Sequence, residues 1–236
     1  MKRVLKRVLK WIGIGAAGLV AVVLLVVVVA AFLGGRRVGR TNTDADWVRA
    51  LRHGVGQDGR PLAIMPSRLY ANFDAADLGA LVAYLKHLPP VDRELSPTEF
   101  WLLGRVLFGL GVIDNFFTVE QIAHDRPLPT VLDRAPTPAY GAYVASTSCI
   151  ECHGDDLRGG RHPAPGGPEA PGLDAVADWP LDLFATTLQT GVTPAGRRLD
   201  PELMPWTSTQ HLDSVEVAAL HACIQTLKKA PAATGR

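Results

Sequence analysis

Apolar and polar positions alternate in different ways along this chain, and each pattern predicts a different element. Trp11 to Leu33 is a run without a charged residue, mostly Val, Leu, Ala and Gly. At about 1.5 Å per helical residue it could cross a hydrocarbon core of about 30 Å, so a transmembrane helix is expected there. A cleaved signal peptide would have a shorter apolar stretch ending in a small-x-small site, which "VVVVAAFLGG" fits poorly. Farther on, apolar residues recur at helical spacing: Leu81, Leu85 and Leu88 after Asp74, then Phe100, Trp101, Leu103, Leu107 and Leu110 after Ser96. Ser96 as N-cap, Pro97 at the first helical position and Glu99 three residues on predict the start of that second helix. It is expected to pack against the Asp74–Leu88 helix; lying on a membrane surface is less favoured because the segment has few cations. A proline-rich stretch from Asp125 to Pro138 predicts a semi-extended linker.

Two stretches repeat one pattern. "MPSRLYANFD" from Met65 to Asp74 and "MPWTSTQHLD" from Met204 to Asp213 each set a Met-Pro step nine residues before an aspartate. At the same offset of 139, Phe73 answers Leu212, Asp77 Glu216, Leu81 Leu220, Leu85 Ile224 and Leu88 Leu227. Asp74 and Asp213 are N-cap acceptors, with acidic Asp77 and Glu216 at the positive end of each helix. Upstream the correspondence continues with a two-residue shift, pairing Trp47 with Phe184, Leu51 with Leu188, Gly54 with Gly191 and Gly59 with Gly196. There it stops. The second copy has a Cys-x-x-Cys-His run 31 residues before Phe184, whereas 31 residues before Trp47 is Ala16, inside the apolar run.

Composition narrows the class. With 236 residues, 47% hydrophobic and 20% charged, the chain can bury one or two modest cores and is not chiefly disordered. The formal net charge is +1, but Lys2, Arg3, Lys6, Arg7 and Lys10 precede the apolar run and leave the remainder net acidic. Nucleic-acid binding is therefore excluded on charge. Those cations favour an N-terminus in the cytoplasm and everything after Gly35 on the periplasmic side, with Arg36, Arg37 and Arg40 pulling weakly the other way.

The chemistry sits in "STSCIECHGDDLRGG". Cys149 and Cys152, three apart on a helical turn, can form thioethers to the two vinyl groups of a porphyrin, which brings the imidazole of His153 under the iron. A thioredoxin-type pair would want a strand–helix context and no functional histidine, and a zinc site would want a second ligand pair where only the isolated Cys223 remains. A sixth ligand to iron would come from Met1, Met65 or Met204. Met204 is favoured because Pro205 keeps it out of helical geometry, as a loop over an open haem face requires. His87, His124, His211 and His221 stand at non-ligand spacings and read as surface or helix-face residues. Trp206 and Arg197 are weaker candidates for the haem edge or its propionates.

On these residues, Tyr140 to Leu227 resembles a class I cytochrome c domain of the bacterial dihaem, alcohol-dehydrogenase-associated kind. "AYGAYVASTSCIECHGDDLRGG" resembles the family's first helix and haem site, "FATTLQTGVTPAGRRLDPELMPW" the approach to the distal methionine, and "LDSVEVAALHACIQTL" the terminal helix. The resemblance implies an all-α fold, one covalent haem c with axial ligands His153 and Met204, and electron transfer rather than enzymatic turnover. It also implies a backbone carbonyl orienting the imidazole from the region of "RHPAPGGP". The chain departs from the family in lacking the first haem site. The expected layout is a tail and anchor over 1–35, a truncated haem-less half-domain over 41–95, a linker over 96–138 and a cytochrome c domain over 139–230. The expected role is a single-pass inner-membrane, periplasm-facing carrier between a dehydrogenase donor and an oxidase or soluble cytochrome acceptor. A mainly structural subunit of a larger redox complex, or a haem sensor or enzyme with a vacant iron position, are the alternatives.

Overall fold

The computed structural model describes residues 22–25, 43–63, 65–89, 91, 101–110, 118–162 and 167–228. The chain divides into two units, Met1–Thr43 and Asp44–Arg236. In the first, Val22 to Leu25 are helical and exposed. Among the described residues no helix is long and apolar enough to cross a membrane. The transmembrane helix expected over Trp11–Leu33 is corrected accordingly: its described part covers roughly 6 Å of the roughly 30 Å required, and the rest lies outside the described residues. Apolar composition alone predicted that span, and a span needs about 20 consecutive residues held in one helix. The single-pass inner-membrane placement, with cytoplasmic N-terminus and periplasmic haem domain, loses its support with it.

The second unit is mainly helical, in the order α1 (Asp44–His53), α2 (Ser67–Tyr70), α3 (Ala75–His87), α4 (Leu102–Gly109), α5 (Pro138–Ser148), α6 (Ile150–His153), α7 (Leu181–Thr190), α8 (Trp206–Thr209) and α9 (Ser214–Leu227). The all-α expectation is also corrected. β1 (Gly159–Arg161) and β2 (Glu169–Pro171) form a two-stranded antiparallel ribbon with Gly160 opposite Ala170. Neither strand shows an apolar alternation, because each is only three residues, Gly-Gly-Arg and Glu-Ala-Pro, so period-two patterning could not announce them.

Helices α5 and α9 form the centre. Ala145, Ile150, Leu157, Phe184, Leu188, Val217, Leu220 and Ile224 make one buried cluster, and Tyr140, Val144 and Ala219 a second at the α5–α9 crossing. The two helices touch closely enough that a Cβ on Gly141 would stand 1.9 Å from the Ala219 carbonyl oxygen. The N-terminus of α9 is closed by a full capping box: Asp213 accepts from the Val215 and Glu216 amides, and Glu216 accepts from the Asp213 amide at 2.9 Å. Thr137, followed by Pro138 in the first turn, caps α5.

The repeat persists in the backbone. Gly54 and Gly191 both follow a helix with positive φ, +64° and +69°. Each is followed by a loop closed by the same bonds, Leu62 N–H to Gly54 O and Leu199 N–H to Gly191 O, both 2.7 Å. The Met-Pro steps match as well, with Ser67 N–H donating to Met65 O and Trp206 N–H to Met204 O. The residue after the Met-Pro step differs between the copies. The indole of Trp206 lies against Gly191, whereas small Ser67 lies against Gly54 and Val119, from a 3-10 turn at Thr118–Gln121, adds apolar volume there.

That turn, rather than the helix after Ser96, packs onto the first copy. Thr118 donates to the Met65 carbonyl at 2.9 Å, and Arg126 donates to Ala71 O and to Asn72 Oδ1. The proline-rich linker is thus tied down: Arg126 holds one end, and Arg134 binds Asp213 and Glu216 near the other. Helix α4 buries none of its residues, with Trp101, Leu102 and Leu103 exposed, so the expected packing against α3 is not found; Ser96 to Phe100 lie outside the described residues.

Candidate functional site

A cavity of about 420 Å³ opens in the second copy, within the roughly 300–1,000 Å³ range of small-molecule and cofactor pockets. Leu173, Val176, Phe184, Leu188, Leu199 and Leu203 supply its apolar walls. Cys152 and His153 stand on its border and Met204 on it too, 51 residues away in sequence, brought there by the α7 loop and the Met-Pro turn. Arg197, Arg198 and His162 also line it. Three of the four expected site residues therefore share one wall-lined space. Helix α6 places the cysteine and histidine there: it is a single turn, stopped by Gly154 at φ +80°.

His153 is buried, and its Nδ1 lies 2.8 Å from the Pro171 carbonyl oxygen in β2. A carbonyl only accepts, so Nδ1 carries the proton in this contact and Nε2 is the ring nitrogen left for another partner. The orienting carbonyl expected near "RHPAPGGP" comes from just beyond it, and the ribbon that presents it is the element the sequence pattern missed. Nothing in the sequence singles out Pro171, because a backbone oxygen has no residue signature.

Cys149 is placed differently. It packs on the core that contains Cys223, with Ser148 Oγ 3.4 Å from its sulfur. Burial pushes the Cys149 and Cys152 thiols above their ordinary range, and the charge of Glu151 adds to the effect at Cys152. Cys149 is not among the residues that line the cavity. Among the described residues no three His, Cys, Asp or Glu side chains converge as a metal-binding group, so the two thiols and the imidazole do not form a zinc-like cluster.

Trp206 is packing rather than cavity wall: its Nε1 donates to Leu199 O and its ring covers Gly191. Cys223 and His221 are both buried, and His221 Nε2 meets the Trp179 carbonyl at 2.8 Å. A larger hollow, of about 550 Å³, lies between α1 and α3 beside Val48, Leu78 and Val82. It carries no thiol or thioether, and in the second copy the position of Val82 is held by His221, which binds the Trp179 segment.

Missed by sequence reasoning is the contact between the first copy and the Cys-x-x-Cys-His turn. Arg68 on α2 binds Asp155 and lies 3.6 Å from Glu151, and Asn72 donates to Ser146 O at 2.8 Å. Tyr143 on α5 donates to Asp77 and accepts from the Asp74 amide. No family model and no curated protein matches this chain, so the function has to be argued from these residues.

Proposed function

We propose that the chain is a c-type cytochrome that passes single electrons and transforms no substrate. The observation that carries the reading is the joint presence of Cys152, His153 and Met204 on one apolar cavity, with the tautomer of His153 set by Pro171. Haem c, when attached, supplies a one-electron iron couple. The chain's own residues then have separate tasks. Cys149 and Cys152 provide the thiols for covalent attachment, and His153 offers Nε2 while its Nδ1–H stays on Pro171, a second-sphere bond that fixes ring orientation. Met204 offers a thioether from the facing loop, which favours the reduced state relative to a nitrogen donor. Phe184, Leu188 and Leu199 exclude water and lower the local dielectric, while Arg197 and Arg198 offer cationic partners to carboxylates at the rim.

Were His153 and Met204 both to hold the iron, no place would remain on it for an exchangeable substrate, and the group would supply electron transfer alone at the mouth of the cavity. Donor and acceptor proteins, such as a dehydrogenase and an oxidase or soluble cytochrome, would dock there through small transient interfaces. Production in a host competent for covalent attachment tests the reading. A coloured chain that keeps its pigment through denaturing electrophoresis and titrates as a single one-electron couple is expected; a colourless product disposes of it.

A further inference from the structure

Glu151 is a largely covered carboxylate, with one oxygen fully buried, for which the proposed chemistry has no use. It lies between the two cysteines, next to Cys152 and two residues from His153, with its side chain 18% exposed. Its Oε2 is fully buried and has no hydrogen-bond partner. A carboxylate oxygen without a donor in such a place is costly unless the charge is paired. Its ion-pair partner is Arg68, with Nη1 at 3.6 Å, and the other guanidinium nitrogen binds Asp155. One cation therefore spans the turn that carries Cys152 and His153, and that cation comes from the haem-less copy.

We propose that the haem-less copy is retained as an electrostatic clasp, in which Arg68 offsets the buried charge of Glu151 and thereby sets the reduction potential of the neighbouring centre. Arg68 is a positioning and tuning residue and touches no reacting atom. The proposal rests on the cytochrome reading above. An uncompensated carboxylate beside the centre stabilises the oxidised, more positive state, so the arginine holds the potential up. The interaction is only weakly screened because both side chains are about four-fifths covered. Asn72, just after α2, to Ser146 O and Tyr143 to Asp77 on α3 keep the first copy seated on α5, and Arg68 on α2 lies within range of Glu151.

The test uses the full haem-loaded chain and reads the reduced-to-oxidised ratio at a fixed ambient potential, with the optical spectrum as a check on coordination. Arg68→Gln should lower that ratio several-fold, Glu151→Gln should raise it, and the double substitution should bring it back near the parent value. Arg68→Lys, which keeps the charge, should recover most of the loss. If Arg68→Gln does not accumulate, Glu151→Gln still decides, since it removes the buried carboxylate at little steric cost. A potential indifferent to these substitutions, with an unchanged spectrum, overturns the clasp while leaving the cytochrome reading intact. A colourless parent chain would instead defeat the cytochrome reading itself.

Discussion

Single side chains carry most of the proposed chemistry, and their surroundings predict how each replacement reads out. Met204 sits half-buried on the cavity and packs on the main core. Met204→Ala should abolish the far-red absorption of the ferric methionine-ligated state, lower the potential and open the iron to carbon monoxide; an unchanged ferric spectrum would exclude Met204 as a ligand. Gly141 has a steric task. Its would-be Cβ meets the Ala219 carbonyl and also approaches Cys223 Cβ to 2.8 Å, so Gly141→Ala should cost about 3 kcal/mol or more, seen as a lower urea midpoint. Gly79, inside α3 with nothing within 4 Å of the same position, is the control: Gly79→Ala should stabilise by about 0.5–1 kcal/mol. Cys152, His153 and Met204, which meet on one cavity, could be picked out of the sequence by residue type and spacing. Pro171 was not, since its contribution is a carbonyl, and neither was Arg68, which meets Glu151 from 83 residues away.

Helix ends explain why the repeated elements could be read so early. A cap is local: aspartate, then an acid three residues later, satisfies amides that any helix start leaves open, and both Asp74 and Asp213 do so. Their environments differ, which makes the copies distinguishable by experiment. Asp74 is buried at 5% exposure, and Asp74→Ala should destabilise by about 1–2 kcal/mol in chemical denaturation. Asp213 is held below the usual carboxylate range, first by the Glu216 amide and then by Arg134. A depressed value means that its contribution is complete above the ordinary aspartate pKa of about 3.9 and is lost as the pH falls through the lower folded value. Asp213→Asn should therefore flatten the acid limb of the stability–pH curve, and an unaltered limb would show that the cap does not titrate as described. The β1–β2 ribbon and the Thr118–Gln121 turn escaped sequence reading for the opposite reason, because both are stabilised by tertiary contacts and have no periodic signal of their own.

Across the whole chain, hydropathy predicted an anchor that the described residues do not support, whereas the repeat predicted an incomplete copy whose backbone bonds then matched its complete partner loop for loop. The two patterns differ in what they specify. An apolar run records composition, while a repeated Met-Pro, glycine and cap series records geometry at many positions together. The incomplete copy has no cysteine for a porphyrin; Met65 packs on Leu51, Leu78 and Val82, and its backbone carbonyl takes the Thr118 hydroxyl. Haem quantitation on the purified chain should accordingly give one haem per polypeptide. Met65→Ala should cost about 1–2 kcal/mol through lost packing and leave the optical spectrum and the potential as they were. Met204→Ala should do the reverse, altering the spectrum and potential out of proportion to any loss of stability. A second haem per chain, or a Met65 variant with altered iron coordination, would mean that the first copy is a binding domain in its own right.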